Sequence, residues 1–167
     1  EKIRIDGLLS EPDWQRSDSI AGNDFFRMEP RQGGPFEFST SVRVLFDDTN
    51  LYVGIFCADS LGKKGVRVQD FRRDFTFGEN DIFFFQLDPQ NLRRYCVSFQ
   101  TTPLGTQRDV QVFDDDFKDQ DWDALWSVKT KILGNGWSAE FAIPFKSLRY
   151  ERPQDGEPAS WGFTASR

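Results

Sequence analysis

Apolar and polar residues alternate in short runs along this chain, and no stretch sustains the periodicity of a long amphipathic helix. Ser41–Phe46 alternates, and Asp47-Asp-Thr-Asn50 then breaks the pattern with turn-forming residues. Leu51–Cys57 resumes it, with Leu51, Val53, Ile55 and Cys57 on one face, so the two runs predict a β-hairpin. Asp81–Leu87 is apolar on both faces, as in a strand flanked on both sides. Arg94–Thr101 groups Tyr95, Val97 and Phe99, and Gln107–Phe113 continues the alternation. Trp126, Val128, Thr130 and Ile132 share a face up to Gly134-Asn-Gly136, a turn whose residues tolerate positive φ. Trp137, Ala139, Phe141 and Ile143 return antiparallel, and Trp161–Ala165 supplies a last short strand.

Roughly eight to ten short strands without crossover helices predict an all-β fold, an antiparallel β-sandwich of jelly-roll type. Its core is expected to contain Phe83, Phe85, Phe99, Trp137 and Phe141. The 167 residues suit one domain spanning 1–167, since two cores would be cramped at this length. The long connections are Ala58–Phe75 and Asp114–Ala124, and Arg152–Pro158 reads as one proline-rich loop.

Composition narrows the chemistry. There are 18 Phe, 5 Trp and 3 Tyr but no His, which removes Ser-His-Asp and Cys-His nucleophiles and His-ligated zinc or haem. The net charge of −6 argues against nucleic acid or anionic lipid as partner, and no apolar run is long enough for a helical membrane span. The charge is concentrated: residues 109–123 hold seven Asp against one Lys, −6 in one window. Cys57 and Cys96 lie in apolar strands, open to pairing or to separate burial. Glu1 in place of an initiator Met suggests a mature chain or a domain excised from a larger protein.

The opening Ile3-Arg-Ile-Asp-Gly-Leu-Leu-Ser-Glu-Pro-Asp-Trp14 resembles the start of family 9 carbohydrate-binding modules. The resemblance continues through Val42–Val53 to Asp59, through Glu79-Asn-Asp81 to Leu87-Asp88, and through Gly136–Phe145. A subgroup placed ahead of an outer-membrane β-barrel in large bacterial proteins is similar in Arg73-Asp74, Pro103–Gln107, Trp122-Asp-Ala-Leu-Trp126, Pro144–Arg149 and Trp161–Arg167. The resemblance implies a non-catalytic, glycan-binding accessory module. It further implies export to the periplasm or outer membrane of a Gram-negative bacterium, with no membrane insertion of its own. A second implication, a structural domain docking onto a C-terminal barrel of the same chain, stands beside the first. The family's sugar-stacking tryptophan maps to Gly78, beside Phe77, its hydroxyl-binding acid to Phe84, and the second tryptophan would fall after Arg167, so the family's sugar site is not carried over.

Three further constellations stand out. Trp122 and Trp126 follow the acidic segment, and an indole face suits sugar C–H groups as well as it suits a core. If sugar binds there, Trp122 stacks on it, with Arg72, Arg73 and Asp121 as polar partners. If calcium binds, Asp114, Asp116 and Asp121 are the candidate ligands, although no EF-hand pattern is present. Lys63, Lys64, Arg67, Arg72 and Arg73 form a basic stretch that reads as solvated loop charge, as a partner of the acidic loop, or as a contact for anionic glycans. No carboxylate pair is singled out for hydrolytic chemistry, so the expectation is a protein that is not an enzyme. Asp6-Gly7 and Glu11–Trp14 are expected to be structural, with Trp14 closing an end of the sandwich.

Overall fold

The structure is a computed structural model and describes residues 3–28, 32–33, 38–78, 80–114, 117–150 and 158–167. Among the described residues ten strands form two five-stranded sheets in which every pairing is antiparallel. Sheet A has the order β1 (Ser19–Ala21), β2 (Thr40–Phe46), β3 (Asn50–Ala58), β9 (Gly136–Pro144), β8 (Ser127–Leu133). Sheet B has the order β10 (Gly162–Ser166), β4 (Phe83–Asp88), β5 (Tyr95–Thr101), β6 (Gln107–Phe113), β7 (Phe117–Asp119). The one α-helix among the described residues, α1, is a single turn over Pro12–Arg16 with proline at its start, where a missing N–H costs nothing.

The predicted hairpin forms with Phe46 opposite Leu51. The Asp47 carboxylate organises its turn, accepting from the N–H groups of Thr49 (2.7 Å) and Asn50 (2.8 Å) and from the Tyr52 hydroxyl (2.8 Å). The Thr49 N–H, followed by its hydroxyl and the Tyr52 hydroxyl, holds that carboxyl well below the usual carboxylate range. β4 begins two residues later than the alternation indicates. Asp81 is instead clipped to Arg67, donating its N–H to the Arg67 carbonyl (2.7 Å) and accepting the Arg67 N–H (2.9 Å).

Inward-facing residues of both sheets make one core. Phe83, Phe85, Phe99, Trp137 and Phe141 are all buried as expected. Phe85 is the hub, its ring centroid 5.1 Å from Phe141, 5.6 Å from Phe99 and 5.8 Å from Phe163. Trp126 stacks on Phe141 at 5.8 Å and meets Phe99 edge-on at 5.3 Å, so of the two candidate indoles it belongs to the core. Cys57 is in the core from sheet A and Cys96 lies on the outer face of sheet B; no disulfide joins them. Burial pushes the Cys57 thiol up to about 12.

Trp14 does not close an end of the sandwich. It lies on the outer face of sheet A, where Gly54 of β3 leaves room: a Cβ there would stand 2.9 Å from Trp14 Cζ3 and 2.7 Å from Leu9 Cδ2. Glu140 of β9, opposite Gly54, is fully buried beneath this N-terminal strap. Its Oε2 accepts the N–H groups of Asp6 and Gly7, each at 2.8 Å, and its Oε1 accepts Trp14 Nε1–H at 2.8 Å. The Ser138 hydroxyl donates to the Gly7 carbonyl at 2.6 Å. Gly7 has φ +90°, and a Cβ would lie 2.6 Å from the Thr130 carbonyl carbon, so only glycine fits there. The Asp-Gly and Glu-Pro-Asp-Trp residues thus fasten the strap to sheet A.

Candidate functional site

The connection from β3 to β4 first passes the β8–β9 turn, where Asp59 donates its N–H to the Asn135 carbonyl at 2.9 Å. It then reaches the open side of β6, beyond the short β7, and Asp74 N–H bonds the Gln107 carbonyl at 2.9 Å. Two cations mark this passage. Arg73 reaches the inner side of the sheet and Arg108 of β6 the outer side, with Phe75 buried between them in sequence.

Arg73 donates to the fully buried carboxylate of Asp109 at 2.7 Å and also pairs with Asp123. Ala124 N–H donates to the second Asp109 oxygen at 2.6 Å. Burial raises the Asp109 carboxyl above its ordinary value, against the opposing pull of the Ala124 N–H and the Arg73 charge. The basic and acidic connections are therefore neighbours, joined by a charge pair with one buried end.

The sequence-predicted site residues distribute around this junction. Trp122 is half-buried and packs edge-on against Phe99, with centroids 6.1 Å apart. Asp121 is exposed and donates its N–H to Asp119 Oδ1 at 3.1 Å. Arg73 is the residue brought to the acidic segment. Arg72 turns instead to Asp70, at 3.2 Å, and no bond links it to Trp122 or Asp121 among the described residues. Asp114 sits in an exposed turn with φ +47°, and Asp116 lies outside the described residues, as does most of the Arg152–Pro158 loop. Among the described residues no group of three acidic, cysteine or histidine side chains is placed to share a metal ion.

Sequence reasoning passed over a second surface. Residues 69–78 and 80 gather around two side chains. Asn80 Oδ1 accepts Gln69 N–H at 2.6 Å, its amide donates to the Thr76 carbonyl at 3.1 Å, and Asp70 binds Arg72 and the Thr76 N–H. The Arg72 guanidinium holds the Asp70 carboxyl below its usual range. The loop encloses a shallow cleft of about 570 Å³ walled by Asp70, Phe71, Arg72, Thr76, Gly78 and Asn80. Phe77 stands next to it, 47% exposed, its ring edge-on to Phe84 of β4 at 5.8 Å and covered on one side by the Arg108 guanidinium at 5.2 Å. Arg108 is held by the Phe75 carbonyl (2.9 Å) and Gln120 (3.2 Å).

Phe84, Gln100 and Arg108 are in register across β4, β5 and β6 on the outer face of sheet B. Gln100 is buried; its amide nitrogen donates to Ser98 at 3.0 Å, while its Oε1 is enclosed with no partner among the described residues. Gly78 and Phe84, to which the sequence resemblance maps the family's tryptophan and acid, lie beside Phe77, whose own ring is exposed. A Phe followed by Gly in a polar loop was the available signal.

No protein-family model matches the chain, and no curated protein matches it. Among solved structures, a family 9 carbohydrate-binding module from Caldicellulosiruptor kristjanssonii in complex with cellotriose superposes with a TM-score of 0.59. The match is 18% identical and covers 98% of this chain and 70% of that one. A structure of a family 9 module from the same organism in complex with glucose gives a TM-score of 0.58 at 16% identity, covering 98% and 72% of the two chains. The sandwich described above is the fold of those modules.

Proposed function

We propose that this chain is a non-catalytic carbohydrate-binding module that takes neutral sugar on the outer face of sheet B, at Phe77 and the adjoining cleft. The observation that carries this reading is the Phe77 ring, fixed from one side by Arg108 and from its edge by Phe84, with nearly half its surface open. A rigid aromatic face gives sugar C–H groups an apolar contact, and flanking polar groups orient the hydroxyls. Asp70, Arg72 and Asn80 provide such groups in the cleft. The shared fold supports the reading, since its solved neighbours carry cellotriose and glucose. Export and attachment to an outer-membrane barrel are proposed from the sequence resemblance alone.

Titration with glucose and cellotriose, followed by calorimetry and amide NMR shifts, tests this. Saturable binding is expected, with shifts centred on residues 69–80 and 100–108, and Phe77→Ala should weaken it roughly tenfold. Binding unaffected by Phe77→Ala would overturn the placement, and absence of binding to these sugars and to a panel of neutral glycans would overturn the function.

A further inference from the structure

A different row of aromatic rings lies on the opposite face of sheet B. Tyr95, Phe113 and Phe117 are directly in register across β5, β6 and β7. Their centroids are 5.3 and 6.2 Å apart, with successive tilts of 43° and 48°. Tyr95 shares its face with Val97 and Phe99, so the row starts at the core and runs outward along the inner face. Tyr95 and Phe113 are half-buried, while Phe117 is 68% exposed.

Cross-strand aromatic pairs usually stabilise a sheet by burying one another. Phe117 does little of this. It sits on a three-residue edge strand, where a large exposed apolar side chain invites unwanted association. The next row inward is polar, with Gln111 opposite Asp119. Gln111 donates to the Tyr95 hydroxyl at 3.2 Å, and Asp119 keeps one carboxylate oxygen without a partner among the described residues. Rings spaced by about one pyranose length, bordered by the Asp119 carboxylate, suit a polymer with apolar faces and hydroxyl edges. The −6 charge of residues 109–123 repels anionic polymers and selects an uncharged one.

We infer that the Tyr95–Phe113–Phe117 row is a second contact surface, for an extended neutral glycan chain, separate from the Phe77 surface. This rests on the carbohydrate-binding reading but adds a requirement that Phe77 alone does not create, namely dependence on chain length.

The test compares glucose with cellohexaose and xylohexaose, by calorimetry, on the wild-type chain and on Phe117→Ala, Phe117→Tyr and Phe77→Ala. A hexaose should bind the wild type more tightly than glucose does. Phe117→Ala should lose roughly tenfold in hexaose affinity with glucose binding unchanged, and Phe117→Tyr, which keeps a ring, should restore it. Exposure of Phe117 makes misfolding of these variants a poor explanation, and unchanged amide spectra away from β7 verify this. Hexaose binding untouched by Phe117→Ala, with glucose binding still lost in Phe77→Ala, would overturn the second surface and leave the module reading standing. A wild type that binds none of the sugars would overturn both.

Discussion

Replacing Trp14 with Phe should destabilise the domain by about 2.5–4 kcal/mol at neutral pH, in a pH-dependent way. Two losses add. The Nε1–H donor to Glu140 disappears, and a hydrogen bond to a charged, enclosed group is worth about 1.5–3 kcal/mol. The far edge of the indole, packed over Gly54, goes as well, leaving a gap that costs about 1 kcal/mol. The pH dependence follows from Glu140. Burial raises its carboxyl above its ordinary value, opposed by the N–H groups of Asp6 and Gly7 and by Trp14. A carboxyl raised by folding stabilises the native state most at low pH, and that contribution is lost as pH rises through the folded pKa. Without Trp14 the carboxyl rises further, so the variant loses more on going to neutral pH than the wild type does. Urea unfolding of both proteins, followed by far-ultraviolet circular dichroism at about pH 5 and about pH 7.5, gives the difference directly; other carboxyl groups titrate in both and cancel. A difference below about 0.5 kcal/mol, or one equal at the two pH values, would refute the reasoning that Trp14 holds a buried charge.

Two further outcomes follow from the same geometry. Arg73→Ala removes the cation facing Asp109 while leaving the Ala124 N–H in place, and because Arg73 is partly exposed the loss should be about 1–3 kcal/mol in denaturant titration; an unchanged midpoint would mean the junction is not held by charge. Gly7→Ala forces a Cβ into the Thr130 backbone at positive φ and should cost roughly 1–3 kcal/mol, read as a fall in melting temperature, whereas unchanged melting would show that the strap is not fixed at Gly7.

Alternation made the sheets legible because each inward residue of a strand meets the core by the same two-residue rule. Leu51, Val53, Ile55 and Cys57 are all buried for that reason. The rule fails where cover is local. The pattern marks Glu140 as an outward polar position, yet it is fully buried, because the strap covers that part of β9. The nearby clue was size: Gly54 and Ser138 are small outward residues that let another segment approach. Similarly, charge drew attention to Arg72, Arg73 and the Asp-rich segment, but ion pairing can serve to hold loops together, and Arg73 does so. Phe77 belongs to no alternating run. Its exposure depends on how residues 69–78 are held by Asp70 and Asn80, which neither spacing nor composition encodes.

The fastening of the strap also bears on how the chain is made. Asp6 and Gly7 bond a side chain more than 130 positions away, and Trp14 bonds the same one at a separation of 126. β1, β2 and β3 emerge early from a ribosome, but their sheet stays incomplete until β8 and β9 follow. Through most of translation the indole of Trp14 and the open side of β3 have no native cover. Such long-range closure slows folding and leaves apolar surface available to chaperones or to neighbouring nascent chains. Pulse-labelling of amides during refolding should therefore show protection at Gly7 and Trp14 among the last to appear.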